Sequence, residues 1–266
     1  MIPQADIVAW RQVVLWADDG MVEQDLVLSR ALVEIFSDPT AVAGLAFRGG
    51  TALHKLVLLP SSRYSEDIDL VQVRPGPIGA LLDAIRRRLD PWLGEPSRDQ
   101  SDTSATILYR FESEIPPVRR LRLKVEIHTR EHFAVYGYVM RPLAVPSRWF
   151  SGRSDIRTYE LDELLATKLR ALYQRRRGRD LFDLWEAKRR AHVDPARVVA
   201  ACQAYLKAEG LQVTRAEFER NLAAKARDRA FLGDVRPMLA PGLEYDPLAA
   251  LDLVRREFVE RLPGAS

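Results

Sequence analysis

The feature that most constrains this chain is a pair of aspartates one residue apart, Asp67 and Asp69. They close the stretch FRGGTALHKLVLLPSSRYSEDIDL, which runs from Phe47 to Leu70. Polar and apolar positions alternate through Asp67, Ile68, Asp69 and Leu70, the pattern of a strand with one buried face. Successive strand side chains point to opposite faces, so both carboxylates project from the same one. Two carboxylates so close repel each other unless a cation lies between them, and hard oxygen ligands suit Mg²⁺, with Mn²⁺ as an alternative. Upstream, Gly49 and Gly50 allow close approach of backbone to a ligand, and a helix from Thr51 to Leu58 would aim free N–H groups at an anion. An anion cradle beside a dicarboxylate metal site meets the needs of a nucleoside triphosphate.

The chain has 266 residues, enough for one large domain or two modest ones. Hydrophobic content of 47% and charged content of 29% fit a globular protein. Apolar runs such as Leu56 to Leu59 are too short to span a bilayer, and the start carries Asp6, Asp18 and Asp19 where a signal peptide needs basic residues. A single cysteine, Cys202, excludes an internal disulfide and suits the reducing cytoplasm. Forty Lys and Arg against thirty-seven Asp and Glu give a net charge of +3, which identifies no partner. Its distribution is more informative, because arginines cluster at 86–88, 119–122 and 175–179. Such clusters grip phosphate bidentately or simply solvate a helix face.

Spacing predicts amphipathic helices over 4–19 and 22–37, the second ended by Asp38-Pro39. A short strand over 45–48 delivers the glycine turn, a helix follows to Leu58, and a strand runs from Asp67 to Val73. A helix over 78–89 carries Leu81, Leu82, Ile85 and Leu89 as its apolar stripe. Strands are expected at 106–112 and 119–130. In the latter, Leu121, Leu123, Val125 and Ile127 share one face, while Arg122, Lys124, Glu126 and His128 share the other. If this strand lies beside the Asp67 strand, Glu126 becomes a third carboxylate, able to ligate metal or take a proton. An ordinary ion pair of Glu126 with Lys124 or His128 satisfies the same pattern. From Leu161 onward the pattern is helical, with segments near 160–174, 194–208, 214–232 and 246–261. The fold class is therefore α+β, with residues 1–160 holding a small mixed sheet flanked by helices and 161–266 forming an all-helical region.

A second stretch, ELLATKLRALYQRRRGRDLFDL from Glu163 to Leu184, sets Lys168 among apolar or small neighbours. An ammonium there needs an anion. The residues allow two partners equally, a nucleotide phosphate or the carboxylates of Asp180 and Asp183.

The sequence GGTAL followed by RYSEDIDL, and farther on TKLRA followed by RDLFDL, resembles the AbiEii-type nucleotidyltransferase toxins. These include the mycobacterial MenT toxins and belong to the DNA polymerase β-like superfamily. The resemblance covers about residues 45 to 190, and Gly50-Thr51 stands where that superfamily usually has Gly-Ser. It implies a polymerase β-like fold and a catalytic set of Asp67, Asp69, Glu126, Lys168 and Asp180. Of these, Asp67, Asp69 and Glu126 would be the metal ligands. Arg48, Gly49, Gly50, Thr51, Arg63, Ser65 and Lys168 would form the nucleotide site. Separately, Ser65 lies two residues before Asp67 on the same strand phase, and a phosphate added there would set about two negative charges beside the triphosphate and silence the enzyme. The function that the resemblance implies is that of a type IV-like toxin transferring nucleotides from an NTP to RNA, foremost tRNA 3′ ends, and so blocking translation. It also implies a cognate antitoxin encoded nearby and a monomer acting in the cytoplasm. The rivals are a small-molecule nucleotidyltransferase of the antibiotic-modifying kind and a catalytically inert RNA-binding module.

Overall fold

Aspartates cap the second and third helices of this chain. The structure, a computed structural model, describes residues 2–264. It divides the chain into two compact units, Met1–Tyr159 and Glu160–Ser266.

In the first unit, α1 spans Gln4–Trp10, α2 Asp19–Ile35 and α3 Pro39–Gly44. The helix expected over 4–19 thus stops at Trp10, because the β-branched Val13-Val14 pair is a poor helix former and Asp18 caps a new helix. The Asp18 side chain accepts from the Met21 N–H, and that of Asp38 from the N–H groups of Thr40 and Ala41. With Pro39 in the first turn, Asp38-Pro39 opens a helix as well as ending one. The chain then forms β1 (Leu45–Arg48), α4 (Gly49–Leu56), β2 (Asp67–Gln72) and α5 (Gly79–Leu93). Strands β3 (Ser97–Gln100), β4 (Ser104–Glu112), β5 (Arg120–His128), β6 (Tyr138–Pro146) and β7 (Ser151–Tyr159) follow.

These strands make one seven-stranded sheet in the order β3-β4-β5-β2-β1-β7-β6. It is mixed, since β2 runs parallel to β5 and β1 parallel to β7, while the other pairs are antiparallel. The sheet is larger than the sequence implied: β3, β6 and β7 were not foreseen. Strands β3 and β6 form its two edges. All four β3 side chains are exposed, and β6 carries Pro142 and Pro146, which an edge strand tolerates. Neither strand needs the alternation that a half-buried strand shows.

One buried network fixes α4 behind β1 and β2. Lys55 on α4 donates to Asp25 of α2 at 2.6 Å and to Ser29 at 2.9 Å. Asp25 also accepts from the indole nitrogens of Trp10 at 2.9 Å and Trp16 at 3.2 Å. The desolvation cost of this buried carboxylate is offset by its three donors, and losing any one of them exposes that cost. The N-terminal helices are thereby coupled to the glycine turn.

The second unit is helical: α6 (Leu161–Gln174), α7 (Gly178–Arg190), α8 (Pro195–Ala208), α9 (Arg215–Lys225), α10 (Arg229–Gly233) and α11 (Pro247–Glu257). The expected helix over 214–232 is broken at Asp228, whose side chain caps α10 by accepting from Ala230 and Phe231. Cys202 is buried on α8, and burial pushes its thiol up to about 12, so it packs as an apolar residue. No helix among the described residues is long and apolar enough to cross a membrane.

Candidate active site

The parallel register of β2 and β5 sets Asp67 beside Lys124 and Asp69 beside Glu126. On the other side of β2, Asp69 pairs with Arg48 of β1. Period-two alternation therefore gathers Asp67, Asp69, Lys124, Glu126, His128 and Arg48 on one face of the sheet. The reason is the expected one: the apolar partners Ile68, Val125 and Ile127 are fully buried on the opposite face and lock the register.

The carboxylates differ in environment. Asp67 Oδ1 is buried without a hydrogen-bond partner among the described residues. Burial, and next the charge of Asp69, push the Asp67 carboxyl up to about 6. Burial also works to raise Glu126, but Lys124, with Nζ 2.5 Å from Oε2, outweighs it and holds Glu126 below the usual range. Burial and the Arg48 charge lower His128, against the pull of Glu126, Asp69 and Glu131. A neutral imidazole keeps a lone pair for a metal ion. Asp69, Glu126 and His128 each offer a ligand atom, all within 4.8 Å of one another. Thus the set that converges contains Asp69 and Glu126 as expected, but with His128 in the place given to Asp67. Asp67 stands on the same face, two residues back along β2 from Asp69, with its orphaned oxygen. An unpaired buried carboxylate oxygen beside a two-carboxylate, one-imidazole set is a donor arrangement that fits a divalent cation.

The glycine turn abuts this face. Gly49 has φ +81°, and a Cβ there would lie 2.3 Å from Asp69 Oδ2, so a side chain at this position is excluded twice. Helix α4 begins at Gly49, and no side chain caps its N-terminus, which leaves its first N–H groups available to an anion. Gly50 is buried in the first turn. Arg48, at the N-cap position, is ion-paired with Glu131. Against burial, Glu131, Tyr159 and Asp69 raise its pKa and keep it charged.

Three expected nucleotide contacts have other partners. The Thr51 hydroxyl is buried and donates to the Asp67 carbonyl at 2.6 Å. Its oxygen lies 2.7 Å from Ser65 Oγ, and with its own proton given to Asp67 it accepts from Ser65. Thr51 and Ser65 thus brace the start of β2. Arg63 is only 2% exposed and donates through Nη1 to the Tyr64 carbonyl at 2.9 Å. Its guanidinium stabilises the loop leading into β2 and is turned away from solvent.

Within the helical unit, Lys168 of α6 lies 3.2 Å from Asp180 Oδ1 and 2.9 Å from Asp183 Oδ2, both on α7. Arg175 adds a fork to Asp180, at 2.7 Å through Nε and 2.9 Å through Nη2. Burial would raise the Asp180 carboxyl, but Lys168 and Arg175 outweigh it and hold it below the usual range. Of the two partners the residues allowed for Lys168, the structure supplies the carboxylates.

The sequence profile described as nucleotidyl transferase AbiEii toxin of type IV toxin–antitoxin systems matches residues 30–255. The chain belongs to the AbiEii nucleotidyltransferase toxin family. It is accordingly a nucleotidyl-transfer enzyme. Among solved structures, the nucleotidyltransferase toxin MenT4 of Mycobacterium tuberculosis is similar over 98% of this chain and 91% of its own. The TM-score is 0.67 at 17% identity. JHP933 of Helicobacter pylori is similar over 93% of this chain and 94% of its own, with a TM-score of 0.57 at 16% identity. At such identities these likenesses speak for the fold. No curated protein sequence matches the chain.

For this family member, sequence reasoning placed Lys124 and His128 on the correct face but gave neither a part in the site. The signal was present in the alternation of β5. What the sequence could not supply was the lateral register that sets Lys124 against Asp67 and brings His128 to Glu126 and Asp69.

Proposed function

We propose that this AbiEii-family toxin transfers a nucleotide from a nucleoside triphosphate to the 3′ end of an RNA, tRNA being the favoured acceptor, and so blocks translation in the cytoplasm. The observation that carries the proposal is the carboxylate face of β2 and β5, with its orphaned Asp67 oxygen, beside the uncapped start of α4. Asp69, Glu126 and His128, with Asp67 next to them, would hold Mg²⁺ or Mn²⁺. Bound there, the ion supplies charge neutralisation for the transferred phosphate and the departing pyrophosphate. The imidazole in the set leans toward Mn²⁺, the carboxylates toward Mg²⁺.

The chain's own residues do the rest. The N–H groups at Gly49, Gly50 and Thr51 bind the β and γ phosphates, and the fixed charge of Arg48 attracts the triphosphate to that turn. The acceptor hydroxyl forms a new bond to the α phosphorus as the bond from that phosphorus to the bridging oxygen breaks. Pyrophosphate leaves with the electron pair, and the hydroxyl proton passes to a site carboxylate. Glu126, held ionised by Lys124, suits a ligand better than a base. A cognate antitoxin is the proposed partner in the cell.

The test is to incubate the full chain with total tRNA, each of the four labelled triphosphates in turn, and Mg²⁺ or EDTA. The proposal expects label in RNA with one or a few nucleotides, and none with EDTA. Label entering small-molecule acceptors but never RNA would overturn the choice of acceptor.

A further inference from the structure

Lys124 has no part in the reaction as described, yet it occupies the middle of the site face. Its Nζ lies 2.5 Å from Glu126 Oε2, and the strand register sets it directly beside Asp67. The same register sets Asp69 beside Glu126 on the shared face, so three carboxylates flank one ammonium. The side chain is 31% exposed, which leaves its flexible stem room to move. An ammonium is a compact point charge on a four-carbon stem, unlike the planar fork of an arginine, and can change partners without rebuilding a bidentate geometry.

We propose that Lys124 is an internal counter-ion that holds the carboxylate cluster until a divalent cation displaces it from Glu126, and that it then pairs with the nucleotide phosphates. The proposal rests on the reading of these carboxylates as a metal site. A cation arriving alone must break the Lys124–Glu126 pair and then tolerate a neighbouring ammonium. A triphosphate relieves both penalties by giving that ammonium a new anion. Cation and nucleotide therefore bind with positive coupling, and by linkage each raises the affinity for the other by the same factor. Such coupling would leave the metal-free protein with its carboxylates neutralised rather than mutually repelling. It would also keep the cation weakly held until substrate arrives.

The test is a Mn²⁺ titration of the full chain followed by electron paramagnetic resonance. It is run at pH 8, with and without a triphosphate whose α,β bridge is a methylene group. Lys124→Met and Lys124→Gln are compared with the wild type, with thermal melts to verify folding. Without nucleotide both variants are expected to bind Mn²⁺ about tenfold tighter, the effect of one unit of pKa in interaction. With nucleotide, the gain in Mn²⁺ affinity is expected to be about tenfold smaller in the variants than in the wild type. Equal or weaker Mn²⁺ binding by the two variants in the absence of nucleotide overturns the proposal. An Asp69→Asn control separates the levels: if it binds Mn²⁺ as the wild type does, the metal-site reading fails and Lys124 falls with it. If Asp69→Asn loses Mn²⁺ while the Lys124 variants are unchanged, only the counter-ion proposal fails.

Discussion

Asp180 in the helical unit has a lysine and the fork of an arginine against it, whereas Asp67 in the sheet unit buries an oxygen with no partner among the described residues. Both are acidic groups withdrawn from water, and their titration moves in opposite directions. Asp180 is held below the carboxylate range and Asp67 is pushed up to about 6. Desolvation acts on both; the difference lies in what surrounds them. The helical cluster is neutralised from within and needs nothing more to be stable. The sheet cluster is short of positive charge, with Lys124 as its near counter-ion, and is stable at neutral pH only at some cost. Strain of this kind accumulates where a ligand completes the structure. The contrast sets a carboxylate face on β2 and β5 that a cation would complete against an α6–α7 contact already neutralised by its own lysine and arginine.

The contrast breaks most visibly on Asp69. Asp69→Asn should lower kcat/KM for nucleotide transfer about 10³-fold or more, the scale of losing a group that acts on the transition state, without lowering the melting temperature. Activity within tenfold of wild type would contradict the assignment.

Next in size is Lys168→Met, which strands two buried aspartates. It should destabilise the protein by about 3–5 kcal/mol in denaturant titrations, and adding Asp180→Asn and Asp183→Asn should recover much of that loss. A loss below about 1 kcal/mol would mean the α6–α7 cluster is not the internally neutralised scaffold described.

A smaller effect, with a distinctive sign, belongs to Asp67. Its pKa is raised in the folded chain, so the native state binds the proton more tightly than the unfolded chain does. The stability it contributes is full below the unfolded value near 3.8 and is lost as pH rises through about 6. Asp67→Asn should therefore be inactive, yet the metal-free variant should melt a few degrees above wild type at pH 8 and near it at pH 4. A difference that is constant with pH would remove the charge explanation. In wild type, activity should climb through about pH 6 as Asp67 ionises, then level off.

Smallest is Thr51→Val, which keeps the shape and deletes the hydroxyl that ties α4 to the Asp67 carbonyl. It should cost about 1 kcal/mol in stability, with only a modest rise in the nucleotide KM. A large loss of kcat with unchanged stability would instead return Thr51 to direct work on the phosphate.

Much of this was legible in the sequence, because a two-residue period is unambiguous when one face is buried. Asp67, Asp69 and Glu126 were placed on strands and on the correct face by Ile68, Leu70, Val125 and Ile127 alone. The Lys168 pairing was legible as one of two alternatives, since a lysine on an apolar helix needs an anion and Asp180 and Asp183 follow in sequence. Edge strands were not legible: Ser97–Gln100 has no buried face, and Tyr138–Pro146 is interrupted by prolines. Nor was the inward turn of Arg63, because an arginine in a polar loop reads as exposed until the loop's own carbonyls are seen around it. His128 and Lys124 were visible, but their roles depend on a lateral register that no single strand encodes.

The most direct test of the account compares nucleotides labelled at the α and at the γ phosphate, with full chain, Mg²⁺ and total tRNA, beside Asp69→Asn. The account predicts that the α label enters the acceptor, the γ label leaves in pyrophosphate, and the variant does neither. A γ label moving onto the acceptor, or equal transfer by the variant, would contradict it.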